Sequence, residues 1–321
     1  MIFGNILLIT STAMFLTIAS FHWPIWLIGS IWGGSASLFF IPFNVDFSKV
    51  KHSKHGGKEL GYIYVMEKIG TATGPVIGGL IATFFGAQYI FAIATGLLII
   101  GLVPLFQTSE PVRLNQHITF KGLRFDKLKR DYISAAAIGV ENTLCIFLWP
   151  LFIGMFILLD KTAYAKLGLL SSTSILIALF TAYAIGKIID DRKGRYLLRA
   201  NATANSFLHL IRPFINVYPA AFLVGATNEV VTTGYRMPYY KGLFDAADDL
   251  PGYRIAYLTS IEFFSSVFKC MVWWFLVMLT AIFSTKDVIS IGFIIASIAS
   301  MLIMTEKFKA LNVRKNHVAK A

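Results

Sequence analysis

Apolar residues run almost without interruption along this chain, and short polar stretches punctuate them at spacings that suit a bilayer. Read against the roughly 20 apolar residues that a helix needs to cross a membrane, the pattern predicts spans at 2–20, 24–45, 61–85, 88–106, 132–158, 164–186, 196–212, 217–237, 255–282 and 287–305. The opening run lacks the basic start of a secretory signal and is read as a true span. The expected class is an all-α polytopic membrane protein of about ten transmembrane helices. The longest polar segment, "TSEPVRLNQHITFKGLRFDKLKRD" from Thr108 to Asp131, divides the spans into four and six. It predicts an N-terminal bundle over 1–107, an inter-domain loop over 108–131, a six-helix bundle over 132–306 and a basic tail over 307–321. The run at 196–212 is the weakest of the ten. Asn201, Asn205 and His209 recur in it every four residues, so they share a face that must meet protein if the segment is buried.

Composition agrees with this pattern. The chain is 56% hydrophobic and 14% charged, with a mean hydropathy of +0.66, which excludes an ordinary soluble domain. Its net charge of +12 would suit nucleic acid if it lay on one compact soluble face, but the basic residues fall in loops between spans, and no nucleic-acid partner is expected. Lys68, Arg236 and Lys269 lie inside spans. Every other Lys and Arg except Lys161, Lys166, Arg212 and Lys286 lies on one side of the predicted topology. That bias predicts that both termini are cytoplasmic, and the expected location is the plasma (inner) membrane. For the basic residues of the 108–131 loop, a plain cytoplasmic linker is a better account than contact with anionic lipid.

Cys145 and Cys270 sit in apolar runs and form neither a disulfide framework nor a metal site. His52 and His55 fall far short of a closed ligand set, so no metal or cofactor is expected. The chain has no phosphate loop, dinucleotide fingerprint, zinc-protease helix or nucleophile elbow. With no catalytic constellation, the sequence does not read as an enzyme.

The stretch "IGTATGPVIGGL", Ile69 to Leu80, is unusual for a membrane helix. Gly70, Gly74 and Gly78 recur every four residues, and Gly79 widens their face. Small residues in this pattern allow close helix contact in lipid, and Pro75 adds a local bend. As G-x-x-x-G-P-x-x-G-G, these residues resemble the signature in the fifth helix of major facilitator superfamily transporters. "GKIIDDRKGR", which supplies Gly186, Asp190, Asp191, Arg192, Gly194 and Arg195, resembles the family's G-x-x-x-D-R-x-G-R loop between helices eight and nine, with one extra residue. The order of spans between the two motifs matches the family. Only two spans precede the glycine motif where the family has four, so the resemblance implies family helices three to twelve, with the first two absent. A misplaced start, a truncated gene and a real ten-helix variant all fit this departure.

Charged groups at bilayer depth call for a partner, a cavity or a function. Glu141 lies mid-span with Asn142 beside it, in what the resemblance makes the cavity-facing seventh helix. Asn228, Glu229 and Arg236 fall in the tenth. There, Glu229 and Arg236 form either an internal pair or a proton or substrate site. Glu262, Ser266, Lys269 and Trp273 form a polar stripe on the eleventh helix, read first as a structural network. Asp46, at the end of the fourth helix, is a candidate for a gating contact with basic loop residues. The resemblance implies a monomeric secondary transporter of a small solute that works by alternating access; the carboxylates Glu141 and Glu229 within spans make protons the first candidate for the coupling ion. The alternative is a transporter-like membrane protein without transport activity.

Overall fold

The computed structural model describes residues 1–50, 56–107, 119–123, 125–188, 194–250 and 252–312. Every predicted run is helical: α1 (Ile2–Leu16) with a short continuation α2 (Ile18–Phe21), α3 (Ile25–Val50), α4 (Gly56–Phe84), α5 (Ala87–Gln107), α6 (Lys129–Phe156), α7 (Ala163–Ile188), α8 (Gly194–Ile211), α9 (Tyr218–Asp248), α10 (Arg254–Leu279) and α11 (Thr285–Ile303). No strand occurs among the described residues. Six of these helices, α3, α5, α6, α7, α10 and α11, are long and apolar enough to cross a membrane.

Local chemistry sets several of the helix ends. His22 adopts a left-handed conformation (φ 50°) and closes α2. Ser284 caps α11 by accepting the N–H of Asp287 at 3.3 Å, which also places an acid near the positive end of the helix dipole. Hydroxyls on exposed faces bond to their own helix. Thr10, Ser30, Thr73 and Ser290 each donate to the carbonyl four residues back, at 2.8 to 3.1 Å. This satisfies them without a partner from another helix.

Helix α1 packs on α3 and α5. A Cβ at Gly4 would stand 2.8 Å from the backbone of Phe39, so the crossing of α1 and α3 requires glycine. Thr95 donates to Thr12 at 3.2 Å, and Phe15 stacks on Phe91 at 5.2 Å. The second group, α6 to α11, has two large apolar clusters and a small one at Ile185 and Met237. One large cluster gathers Ile138, Leu198, Tyr235, Tyr257 and Ile303; the other gathers Leu144, Phe152, Leu170, Ala221 and Phe293. Between these two lie buried polar residues of α6, α8, α9 and α11, namely Glu141, Asn205, Asn228 and Ser300.

Helix α4 packs most extensively on α7, which ties the two groups together. A Cβ at Gly79 would lie 2.5 Å from the carbonyl oxygen of Tyr164, and one at Gly168 would lie 2.2 Å from that of Pro75. Pro75 has no N–H of its own, and the N–H of the following Val76 donates to Ser172 Oγ on α7 at 3.1 Å. The glycine face therefore differs from the expected one. Gly70 and Gly74 would meet nothing within 4 Å, and Gly78 would touch only Ile90. The close approach uses Gly79, about 100° around the helix from Gly78, together with Gly168 on the partner helix.

Candidate functional site

The polar layer between the two large apolar clusters centres on Glu141, which is 1% exposed. Its Oε1 accepts from Asn205 Nδ2 at 2.8 Å and from His209 Nε2 at 3.1 Å. Its Oε2 accepts from the hydroxyl of Tyr235 at 2.5 Å. Arg212 NH1 lies 2.8 Å from His209 Nδ1. A guanidinium can only donate, so Nδ1 accepts and the ring proton sits on Nε2, directed at Glu141. A carboxylate and a guanidinium are thus joined through a neutral imidazole.

The surroundings satisfy most of the remaining polar atoms. Asn205 Oδ1 accepts from Asn228 Nδ2 at 2.7 Å, and Asn205 Nδ2 also reaches Ser300 Oγ at 2.9 Å. Ser206 and Ser297 share a hydrogen bond of 2.7 Å alongside. Arg212, fully buried, lies 4.8 Å over the Trp149 ring and 5.6 Å from that of Phe293, and both its NH groups reach Cys145 Sγ at 3.4 Å. The aromatic faces stabilise a cation that has left water.

The second element of the site crosses between helix groups. Lys68 on α4 donates to Glu229 Oε2 on α9 at 3.1 Å, and the two side chains are 17% and 29% exposed. Glu229 therefore pairs with Lys68 and not with Arg236. Neighbouring residues on α9 face different ways: Asn228 points into the buried layer and Glu229 toward α4. Thr232 Oγ1 accepts from Asn228 at 3.4 Å. Arg236 is half-buried and engaged with a partner.

Glu141 finds its partners inside the second group, on α8 and α9. Asn142 is half-buried and makes no side-chain hydrogen bond among the described residues. On α10, Glu262 Oε1 accepts from Lys269 at 3.3 Å and from Ser266 at 3.4 Å, while Trp273 donates to Thr143 of α6 at 3.3 Å. Asp46 is half-buried near the end of α3 and engaged. Gly186 lies in the last turn of α7 and Gly194 is buried at the start of α8. Arg195 donates to both oxygens of Glu306, at 3.0 and 3.1 Å, and to the Phe308 carbonyl at 3.0 Å, fastening α8 to the segment after α11. Asp190, Asp191, Arg192, His52 and His55 lie outside the described residues.

The four-residue spacing of Asn205 and His209 made their shared face readable in advance. Arg212 was missed because it ends an apolar run and reads as a loop cation. Its position three residues after His209 was the available signal, since that spacing keeps both on one face. Tyr235, Ser300 and Lys68 reach the site through packing between segments far apart in sequence.

A family model described as the Major Facilitator Superfamily matches residues 1–237, from the start of α1 to well within α9. None of the curated proteins compared with the chain matches it. An all-helical fold, helices of membrane-spanning length and this match over most of the sequence lead to one assignment: the chain is a membrane protein belonging to the major facilitator superfamily, a family of transporters.

Proposed function

We propose that this protein is a secondary active transporter. It moves a small solute by alternating access between α1–α5 and α6–α11, a four-plus-six arrangement of ten spans, with the proton as coupling ion. One observation carries this reading. Adjacent residues of α9 serve two linked roles, Asn228 joining the buried Glu141–His209–Arg212 layer while Glu229 pairs with Lys68 across the groups. A change in the protonation of either acid would alter contacts that bear on the position of α9 against α4. The segment that joins α5 to α6 acts as the tether. In this reading the protein works as a monomer in the plasma membrane with both termini cytoplasmic, as the distribution of basic residues supports.

The test is solute uptake into proteoliposomes that contain a pH-sensitive dye, screened across cationic, anionic and neutral solutes. Solute-dependent movement of protons that is lost in both Glu141→Gln and Glu229→Gln is the expected result. Uptake with no accompanying proton movement would end the coupling assignment. The absence of uptake for every solute class would favour the second reading, a membrane protein without transport activity. That reading draws support from the open glycine faces of α3 and α4, where a Cβ at Gly29, Gly33, Gly34, Gly70 or Gly74 would meet nothing within 4 Å.

A further inference from the structure

Helices α10 and α11 each pack broadly on α6 but hardly on one another. They splay apart over α6 and leave a groove of about 660 Å³ on the outer surface of the second helix group. Small residues form its floor: Ala136 and Ala137, with Val140 beyond them. Larger side chains would fill this floor, so the run "SAAAIGV" creates the depth. Phe268 and Val272 of α10 form one wall, and Ile295 and Ile298 of α11 the other. Almost the whole lining is apolar.

The exception is one end. Lys129 lines the mouth there together with Asp126, which is itself engaged in another contact. Lys127 and Arg130 flank Lys129 closely in sequence and are exposed, and among the described residues none of the three cations takes part in an ion pair. From Lys129 to Val140 the groove follows α6 for eleven residues, about 16 Å of helix at the standard rise. That is about half of the ~30 Å hydrocarbon core, the depth of one leaflet. A cationic mouth, an apolar trough and a length of one leaflet together match one kind of molecule.

We propose that the groove over α6, between α10 and α11, is a binding site for an anionic phospholipid, with one acyl chain along Ala136, Ala137 and Val140 and the phosphate at Lys129. Lys127 and Arg130 add to the field at the headgroup. Each cation near an anionic headgroup strengthens binding about five-fold. The lipid seals the gap between α10 and α11 without locking α6 against either helix. This site stands apart from the buried layer and does not depend on how that layer functions.

Native mass spectrometry of the full-length protein in detergent tests the proposal, with dioleoyl phosphatidylglycerol and dioleoyl phosphatidylcholine added in equal amounts. One phosphatidylglycerol retained in preference to phosphatidylcholine is expected. Lys129→Gln should lower that preference about five-fold. Ile298→Trp, at a wall position that is 56% exposed and so outside the core, should remove retention of both lipids. A phosphatidylglycerol with a photoreactive acyl chain gives a second readout on the unmodified protein, with adducts expected at 133–140, 264–272 and 295–302. Equal retention of the two lipids overturns the proposal. So do adducts spread as heavily over α5 as over the groove, or a dimer of the chain that forms through these residues and excludes lipid.

Discussion

The two helix groups hold together by different chemistry. Between α1, α3 and α5 the contacts are close backbone approach at Gly4, ring stacking of Phe15 on Phe91, and weak hydroxyl or amide contacts such as Thr95 to Thr12 and Asn5 to the Leu98 carbonyl, 3.4 Å long. In the second group a carboxylate, an imidazole, a guanidinium and two carboxamides join α6, α8 and α9, with Ser300 of α11 alongside. Lipid tails are as apolar as the helices, so burial alone does not favour one helix arrangement over another. Directional polar contacts do, because a donor left unpaired in this setting is costly. The second group is therefore fixed by its polar layer, whereas the first relies on shape and on its contact with α7.

The largest test of this contrast is Glu141→Leu. It strands three donors, on Asn205, His209 and Tyr235, and leaves Arg212 buried without its countercharge, and should destabilise the protein by about 3–5 kcal/mol. Thermal unfolding in detergent reads this directly, and a loss below about 1 kcal/mol would mean that the layer contributes little. Next in size is Gly168→Leu, which drives a side chain into the backbone of Pro75 and Val76 and should cost about 1–3 kcal/mol. Its control is Gly74→Leu on the open face of α4, expected to fall within about 0.5 kcal/mol of the parent. Equal effects of the two would remove the distinction between the faces. The Lys68–Glu229 pair is partly exposed, so a double-mutant cycle with Lys68→Met and Glu229→Gln should give a coupling of only about 0.2–1 kcal/mol.

The smallest effect is expected in the loop between α6 and α7. Hydrogen bonds from the Lys166 ammonium and the Thr162 hydroxyl hold the Asp160 carboxyl down at about 2. A depressed carboxyl adds stability that is present above its unfolded value of 3.8 and is lost as pH falls through about 2. Asp160→Asn should therefore shift unfolding by the same small amount at pH 5 and pH 8, and the shift should vanish only in strong acid. A difference between pH 5 and pH 8 would contradict this assignment.

Much of the helix framework was readable because bilayer thickness imposes one length on each apolar run. The ends were less readable. Helix α9 continues to Asp248, beyond the predicted limit of 237, because a helix need not stop where its apolar character does. Within the layer, the spacing of Asn205 and His209 disclosed a shared face. The choice of Lys68 over Arg236 as partner of Glu229 depended on how α4 meets α9, and their separation of 161 residues left no local trace. The glycine motif identified the family correctly but misplaced the contact, since periodicity alone does not say which side of α4 faces α7.

The composition of α8 also bears on how the protein is made. Among the described residues it is not one of the helices long and apolar enough to cross a bilayer; it carries Asn205 and His209, and Arg212 follows directly on its last residue. During synthesis Glu141 emerges first, on α6, and Asn228 and Tyr235 follow on α9, while Ser297 and Ser300 arrive only with α11. The polar face of α8 is thus satisfied only once α11 is in place, and a chain stopped before α11 would present a half-satisfied polar helix to the insertion machinery and to quality-control proteases.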